Sequence, residues 1–239
     1  MATSNMSFDR FEGKLARPAQ PLASPVPGVL VMPDAFGISE FSIGQAERLA
    51  DLGYIALAGD PYGGGFHASN QEEIAAKFAS VTGDQAALRA NVRTNMDALA
   101  AVDGVDTQRL GAIGYCLGGT AVLELARSGY PCQGVVSFHG LLRTTVPASR
   151  DSLVASILVC TGADDPYAPF TDVASFQVEM AAADADCQVI VYTGTQHSWT
   201  NPDSSREWPG IAFHPLNATR SWDAMRAFLQ ERVVAPASS

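Results

Sequence analysis

The 239-residue chain carries a formal net charge of −10 and is 47% hydrophobic and 17% charged. This composition is typical of a compact protein with a large core, and its acidic balance argues against nucleic-acid binding, which needs clustered Lys and Arg. No apolar run reaches the roughly 18 residues of a membrane span, and residues 1–6 lack the basic and apolar regions of a secretory signal. We therefore expect no membrane association and a cytoplasmic location.

Apolar runs and helical patterns alternate along most of the chain. Residues 8–15 are predicted to form an edge strand or hairpin, and the prolines from Pro18 to Pro27 predict an extended connection. Strands are predicted at residues 29–32, 54–58, 109–113, 135–138, 157–160 and 189–192. Helices are predicted at residues 43–52, 71–79, 84–102, 120–126, 171–183 and 217–232.

Strands that are apolar throughout and separated by helices predict an α/β fold. Its central sheet is expected to be mostly parallel and covered by helices on both faces. We expect a single domain over residues 1–239, with the edge strand and proline-rich connection in residues 1–27 and a flexible tail at residues 235–239. In such sheets the functional site lies beyond the carboxyl ends of the strands.

The sequence GYCLGG at residues 114–119 predicts a sharp turn between a buried strand and a helix. The glycines two positions before and after Cys116 allow this turn and let the helix approach the strand closely. The related pattern G-x-S-x-G presents a nucleophilic serine in many hydrolases, and sulfur replaces oxygen here. Cys116 is therefore the candidate nucleophile, and the pattern indicates a thiol hydrolase.

A thiol nucleophile needs a base, and the base needs an orienting group. His67 follows a glycine-rich loop, His139 ends a predicted strand and His214 lies in a proline-rich connection, so these three are poor candidates for the base. His197 follows the last predicted strand through a short loop, at the carboxyl edge of the sheet. It is the candidate base.

The acid of such a triad should follow a strand that lies between the nucleophile and the histidine in the chain, because the order in α/β hydrolases is nucleophile, acid, histidine. The predicted strand 157–160 is followed by Asp164 and Asp165. Either carboxylate fits, and both also fit a simple turn, since Asp is favoured there.

Acyl transfer also needs two backbone N–H donors for the developing negative oxygen. The residue after the nucleophile, Leu117, supplies one at the positive end of the new helix. The loop after the first buried strand is expected to supply the other, and Ala35 is the candidate. Asp34 in this loop is expected either to face the thiol or to act as a turn residue.

The other cysteines, Cys132, Cys160 and Cys187, are scattered, with no C-x-x-C pair and no histidine at metal-ligand spacing. We therefore expect neither a disulfide framework nor a metal site. Residues 63–65 (GGG) lack the Lys-Ser/Thr of a phosphate-binding loop, and we interpret them as a flexible lid or turn.

The motif GYCLGG, together with GADD at residues 162–165 and HSW at residues 197–199, resembles the dienelactone hydrolase family. DPY at residues 60–62 and PDAFG at residues 33–37 add support, and the resemblance covers roughly residues 28–233. It implies an α/β-hydrolase fold and a Cys-His-Asp triad that hydrolyses lactones or esters without a metal or other cofactor. The family's acid ends a Gly-x-x-Asp turn with Pro four residues later, which implies Asp165, with Pro169, as the acid.

The resemblance also implies a two-step reaction on a small-molecule ester or lactone. Cys116 would form a thioester, His197 would activate water to cleave it, and Asp165 would orient His197. Candidates for the wall of the substrate pocket are aromatic: Phe36, Tyr62, Tyr115 and Trp199. The chain departs from the family at Asp34, where the family has a glutamate, and at residues 198–201 (SWTN), which lack a substrate-binding arginine.

Two other functions fit the same sequence. One is a non-catalytic binding module of the same fold, with Cys116 as a redox-sensitive thiol. The other is an acyltransferase that uses the thioester but excludes water. The expected partner is a small molecule, with no nucleic acid or membrane, and the sequence predicts no particular oligomeric state.

Overall fold

The computed structural model describes residues 2–68, 70–204 and 208–235 and contains an eight-stranded sheet in the order β1-β2-β4-β3-β5-β6-β7-β8. β1 and β4 both pair antiparallel with β2, and the remaining neighbours are parallel. The strands are β1 (Ala2–Phe8), β2 (Phe11–Arg17), β3 (Val26–Met32), β4 (Ile55–Ala58), β5 (Val105–Tyr115), β6 (Gly134–Phe138), β7 (Ser156–Gly162) and β8 (Cys187–Tyr192).

The α-helices connect the strands and cover the sheet. They are α1 (Glu40–Asp51), α2 (Gln71–Thr82), α3 (Gln85–Ala100), α4 (Leu117–Arg127), α5 (Phe170–Ala182) and α6 (Pro215–Leu229), and α6 continues into a π-helical turn (Gln230–Val234). Short polar side chains begin several of them, because they accept the first unpaired N–H groups of the helix. Ser39 does this for α1, Asn70 for α2 and Asp84 for α3.

The core has one layer on each face of the sheet, because successive strand residues point to opposite sides. In β3, Leu30 and Met32 pack with α3, α4 and α5 on one face. Val29 and Val31 pack with α1 and α6 on the other face. All four side chains are fully buried. Parallel strands buried on both sides explain the continuous apolar runs of the sequence.

The predicted α/β class and mostly parallel sheet are confirmed, and the element ends are adjusted. Residues 8–15 lie in a longer edge hairpin, in which Phe8 pairs with Phe11. The extended proline-rich connection ends at Val26, where β3 begins, and Pro27 lies in this strand with a register shift beside it. Of the predicted flexible tail, residues 236–239 lie outside the described part of the chain.

Within the described residues, no helix combines the length and apolarity needed to cross a membrane.

Candidate active site

Cys116 lies at the turn between β5 and α4 and has strained backbone angles, with φ 51° and ψ −113°. Positive φ is unfavourable for a residue with a Cβ, so the surrounding structure must hold it. A Cβ on Gly114 would lie 2.0 Å from the carbonyl oxygen of Gly118, and one on Gly118 would lie 2.1 Å from that of Met32. The glycines of GYCLGG therefore allow a tight turn that presents the half-buried thiol.

His197 and Asp165 meet beyond the carboxyl ends of β8 and β7. The Nδ1 atom of His197 lies 2.8 Å from Oδ2 of Asp165, and both side chains are buried. The other carboxylate oxygen, Oδ1, accepts the backbone N–H of Tyr167 at 2.8 Å. With Asp165 as the acceptor of both bonds, Nδ1 of His197 carries the proton and Nε2 is left for the thiol.

The Cys116 thiol lies close enough to the His197 imidazole to affect its pKa. Burial by itself lowers the pKa of His197, but the charge and hydrogen bond of Cys116, together with Asp165, hold this pKa above its ordinary value. An opposite charge within a few ångströms favours the protonated imidazole. The three groups of the predicted triad are therefore brought together at one edge of the sheet.

The backbone N–H groups of Leu117 and Ala35 are among those near Cys116 that have no hydrogen-bond acceptor within the described residues. Leu117 is the first residue of α4, where N–H groups have no partner within the helix. The close contact of Gly118 with Met32 and Pro33 brings the start of α4 against the loop that contains Ala35. Tyr62 fixes this loop, because its hydroxyl donates to the carbonyl oxygen of Ala35 at 2.9 Å.

Asp34 is buried beside the same groups. Its Oδ1 accepts the backbone N–H of Phe36 at 3.0 Å. Burial raises the pKa of Asp34 to about 6, although this N–H and the positive charges of His197 and His67 act in the opposite direction. The side chain thus serves the turn and also lies within electrostatic range of the imidazole.

The aromatic candidates for the pocket wall divide into two groups. Phe36 is 42% exposed, and Tyr62 lies near Cys116 and Asp34, whose charges add to burial in raising the pKa of its hydroxyl. The structure buries Tyr115 and Trp199 in the core instead, although Tyr115 also lines a pocket between α1 and α6.

The sheet geometry explains why Tyr115 and Trp199 lie in the core. Tyr115 stacks on Phe138 at 4.8 Å between ring centroids, and its hydroxyl donates a hydrogen bond to Oε1 of Gln45 in α1. It precedes Cys116 on the strand and packs on the α1/α6 face of the sheet. Trp199 packs on the same face, and its Nε1 donates to Ser221 of α6.

Three residues of the site were missed by the sequence interpretation. The Nδ1 atom of His139 accepts the backbone N–H of Cys116 at 3.0 Å, although the position of His139 makes it a poor candidate for the base. Tyr167 places its half-exposed ring 4.8 Å from His197, and Trp208 lies 6.2 Å from Phe36. Chain position could have indicated two of them, because His139 follows β6 and Tyr167 follows β7, at the edge of the sheet where the triad lies.

The glycine-rich segment 63–65 forms a turn that hydrogen bonds to a side chain hold in place. Its three glycines all have positive φ, between 64° and 94°. The carboxylate of Asp60 accepts the backbone N–H groups of Tyr62, Gly63 and Gly65 at 2.8–2.9 Å. Asp60 therefore holds the loop that carries Tyr62 towards the site.

Among residues 2–68, 70–204 and 208–235, no group of three or more His, Cys, Asp or Glu side chains is arranged to hold a metal ion.

Comparison with known proteins gives consistent matches over nearly the whole chain. A Bradyrhizobium sp protein named "Probable 2-oxo-3-(5-oxofuran-2-ylidene)propanoate lactonase" is 30% identical, with 96% of each chain covered. The solved structure titled "m3DLH" is 35% identical, with a TM-score of 0.90 and coverage of 97% of this chain and 98% of that one. A dienelactone hydrolase-like promiscuous phosphotriesterase, P91, from metagenomic libraries is 32% identical, with a TM-score of 0.91 and the same coverage.

The model of the dienelactone hydrolase family matches residues 11–233, which include the whole sheet except β1 and every group of the site described above. The chain therefore belongs to the dienelactone hydrolase family and is an ester or lactone hydrolase.

Proposed function

We propose that the chain hydrolyses ester or lactone bonds of small molecules through Cys116, His197 and Asp165, with a thioester intermediate. The observation that carries the proposal is the chain of contacts from Asp165 through His197 to Cys116. It joins a 2.8 Å carboxylate–imidazole pair to a thiol on a strained turn. A nucleophile in contact with a base that is itself oriented by a third group is the arrangement needed for covalent catalysis.

The first step is acylation of the thiol. Nε2 of His197 holds the thiol proton, and the Cys116 thiolate attacks the carbonyl carbon to form a C–S bond. The carbonyl oxygen becomes negative in the tetrahedral intermediate. When the C–O bond breaks, His197 returns the proton to the leaving alkoxide, and a thioester remains on Cys116. In a lactone the released alcohol stays attached to the acyl group.

The second step is hydrolysis of the thioester. His197 takes a proton from water, and the hydroxide attacks the acyl carbon. The C–S bond breaks, the carboxylic acid leaves and the thiol is restored. Asp165 supports both steps, because its carboxylate keeps the proton of the neutral imidazole on Nδ1 and stabilises the imidazolium that forms.

The free N–H groups of Leu117 and Ala35 are the proposed donors to the negative oxygen. Preorganised donors of this kind stabilise charge that develops only in the transition state. The N–H of Leu117 also lies at the positive end of α4, where the helix dipole favours negative charge. Phe36, Tyr62 and Tyr167 are the proposed walls of the substrate pocket, and Asp34 lies beside them.

The test is turnover of aryl esters and lactones by wild type, Cys116→Ala and a control, Cys187→Ala. Cys187 is the matched control because it is also a half-buried free cysteine but lies on the edge strand β8. We expect Cys116→Ala to lose at least about 10³-fold in kcat/KM, because the covalent path is gone, and Cys187→Ala to stay within about twofold. Undiminished turnover by Cys116→Ala would contradict the proposed role of Cys116 and favour a non-catalytic binding module of the same fold.

A second measurement separates hydrolysis from acyl transfer. Rapid acid quenching followed by mass spectrometry should find the acyl group on the peptide that carries Cys116. Adding an alcohol or amine acceptor should then change the product distribution little. Products dominated by the acceptor adduct would identify an acyltransferase.

The substrate panel also includes an aryl phosphotriester, because the similar protein P91 is titled a promiscuous phosphotriesterase. A cytoplasmic location remains a prediction.

A further inference from the structure

His139 directly follows β6 and lies beside the strained turn at Cys116, here called the elbow, and it has three contacts that the proposed triad does not use. Its Nδ1 accepts the backbone N–H of Cys116 at 3.0 Å, and its Nε2 lies 2.8 Å from Oγ1 of Thr200. Its ring packs edge-on against that of His197, with 5.0 Å between the centroids. The side chain is 1% exposed, so it does not form part of the surface that a substrate contacts.

These contacts fix the proton on one nitrogen. Nδ1 must be unprotonated because it accepts a hydrogen bond from the main chain, so the proton of the neutral ring is on Nε2 and is donated to Thr200. Burial and the neighbouring His197 lower the pKa of His139 well below its ordinary value. The ring is therefore neutral and in a single tautomer at working pH.

The same hydrogen bond holds the strained turn. The N–H of Cys116 is shared between the carbonyl oxygen of Phe138 and Nδ1 of His139, each 3.0 Å away. His139 itself has positive φ, at 42°, and its own N–H donates to the carbonyl oxygen of Cys160 at 2.9 Å. Cys116 and His139, which both have positive φ, are thus held by these hydrogen bonds. A residue with a Cβ needs such support to keep a positive φ.

We propose that His139 is a positioning residue, which holds the Cys116 elbow through Nδ1 and keeps an uncharged ring beside His197. A proton on Nδ1 would face the N–H of Cys116, donor against donor, and would open the elbow. It would also put a second positive charge beside the imidazole that must carry one during catalysis. The proposal rests on the proposed function for its effect on turnover, but its effect on the thiol can be measured separately.

The groups that face His139 come from several elements. Tyr115 and Cys116 approach it from β5 and the elbow, and Cys160 contributes a backbone carbonyl from β7. His197, Trp199 and Thr200 approach from the loop after β8. Among the described residues, its ionisable neighbours are His197 at 5.0 Å and Tyr115 at 6.1 Å between ring centroids, and Cys116, whose backbone N–H it accepts.

The test compares His139→Asn with His139→Leu, two side chains of nearly the same shape. Asn places an amide oxygen near the position of Nδ1 and can accept the N–H of Cys116, whereas Leu cannot. We expect kcat of the Asn variant to stay within about threefold of wild type and that of the Leu variant to fall roughly 10- to 100-fold, as for the loss of one buried hydrogen bond. KM should change little in either, because His139 does not touch the substrate.

The second readout is the rate of alkylation of Cys116 by iodoacetamide as a function of pH, measured by mass spectrometry on its peptide. It does not require turnover, so it remains valid if Cys116→Ala shows that the thiol is not the catalytic nucleophile. The pH profile of the Asn variant should follow wild type, and that of the Leu variant should be shifted. Equal kcat and equal alkylation profiles in the Asn and Leu variants would overturn the proposal.

Thr200→Val provides a variant that does not alter His139 itself. Without an acceptor for Nε2–H, the ring can move its proton to Nδ1, so alkylation and kcat should fall about fivefold to tenfold. In the His139→Asn background the same change should have little effect, because Asn does not reach Thr200. An equal effect of Thr200→Val in both backgrounds would show a merely structural role and contradict the proposal.

Discussion

Asp164 and Asp165 are adjacent in the chain, yet only Asp165 reaches the imidazole of His197. Asp165 is buried at the end of β7 and receives the N–H of Tyr167, whereas Asp164 is exposed. The backbone N–H of Asp164 is used by the carbonyl oxygen of Thr195. The turn after β7 thus aims one carboxylate into the site and the other into solvent.

This difference gives a matched pair of substitutions. Asp165→Asn should lower kcat/KM roughly 10²- to 10⁴-fold, because a neutral amide neither stabilises the imidazolium nor keeps the proton on Nδ1. Asp164→Asn should stay within about twofold. Steady-state kinetics on an aryl ester measures both. Comparable losses in the two variants would argue against the assignment of Asp165 as the acid.

Asp34 makes stability depend on pH. Burial raises its pKa from 3.8 to about 6 in the folded protein, so the folded protein binds this proton more tightly than the unfolded chain does. Ionisation of Asp34 therefore lowers the free energy of unfolding. The full loss applies above pH 6, and none applies below the pKa of 3.8 in the unfolded chain.

Asp34→Asn removes this cost and keeps an acceptor for the N–H of Phe36. Its free energy of unfolding should exceed that of wild type by at most about 3 kcal/mol at pH 8, and the gain should shrink by about half at pH 5. Urea unfolding at the two pH values measures the difference. A gain that stays constant or grows as the pH falls would contradict the raised pKa.

At the scale of the element, α4 begins at the elbow because its glycines let it lie against the ends of β3 and β6. The Cβ position of Gly118 is blocked by the carbonyl oxygens of Met32 and Pro33, which belong to the backbone and cannot move aside. The position of α4 therefore sets that of Leu117 against the loop of Ala35.

Gly118→Ala should destabilise the fold by roughly 3 kcal/mol and reduce kcat/KM more than tenfold, because the start of α4 must move away from β3. Gly44→Ala is the control, since Gly44 lies inside α1 and nothing lies within 4 Å of its Cβ position. That change should stabilise the protein by about 0.5–1 kcal/mol through helix propensity. Thermal unfolding and kinetics test both, and a Gly118→Ala enzyme with wild-type activity would contradict the close contact.

At the scale of the whole molecule, a buried ionic network ties the helices of one face together. Arg127 of α4 pairs with Glu124 at 2.9 Å and with Glu179 of α5 at 2.8 Å, and it donates to the carbonyl oxygen of Leu142 at 2.8 Å. Arg89 of α3 pairs with the other oxygen of Glu124. The network joins α3, α4, α5 and the connection after β6.

Arg127→Met should lower the free energy of unfolding by roughly 3–5 kcal/mol, because it leaves Glu124 buried with half of its partners. The end of α4 is about 16 Å along the helix from Cys116, so kcat/KM per folded molecule should change less than about twofold. Arg150→Met, which breaks an exposed pair with Asp184, should cost less than about 1 kcal/mol. Equal losses in the two variants would show that the network adds nothing beyond a surface pair.

Much of the fold followed from sequence pattern, and the errors have physical causes. The strand ahead of Cys116 extends to residues 105–115, because Val105 and Asp106 also pair with β3, across an irregularity at residues 107–109. Tyr115 and Trp199 are aromatic, as the residues of pocket walls often are, but strand alternation and the packing of α6 put them in the core. His139 looked isolated because its partners, Cys116 and Thr200, are distant in the chain.

The sequence alone determined the α/β class, the glycine-flanked cysteine turn and the order of cysteine, acid and histidine, because these depend on periodicity, backbone freedom and chain order. Residue patterns left Asp164 and Asp165 open and the family resemblance implied Asp165, whereas tertiary structure alone decided which aromatic rings are buried and that His139 accepts the N–H of Cys116. Each of these is a contact between segments far apart in the chain, and only the pairing of β5, β6, β7 and β8 at one edge of the sheet brings them within hydrogen-bonding distance.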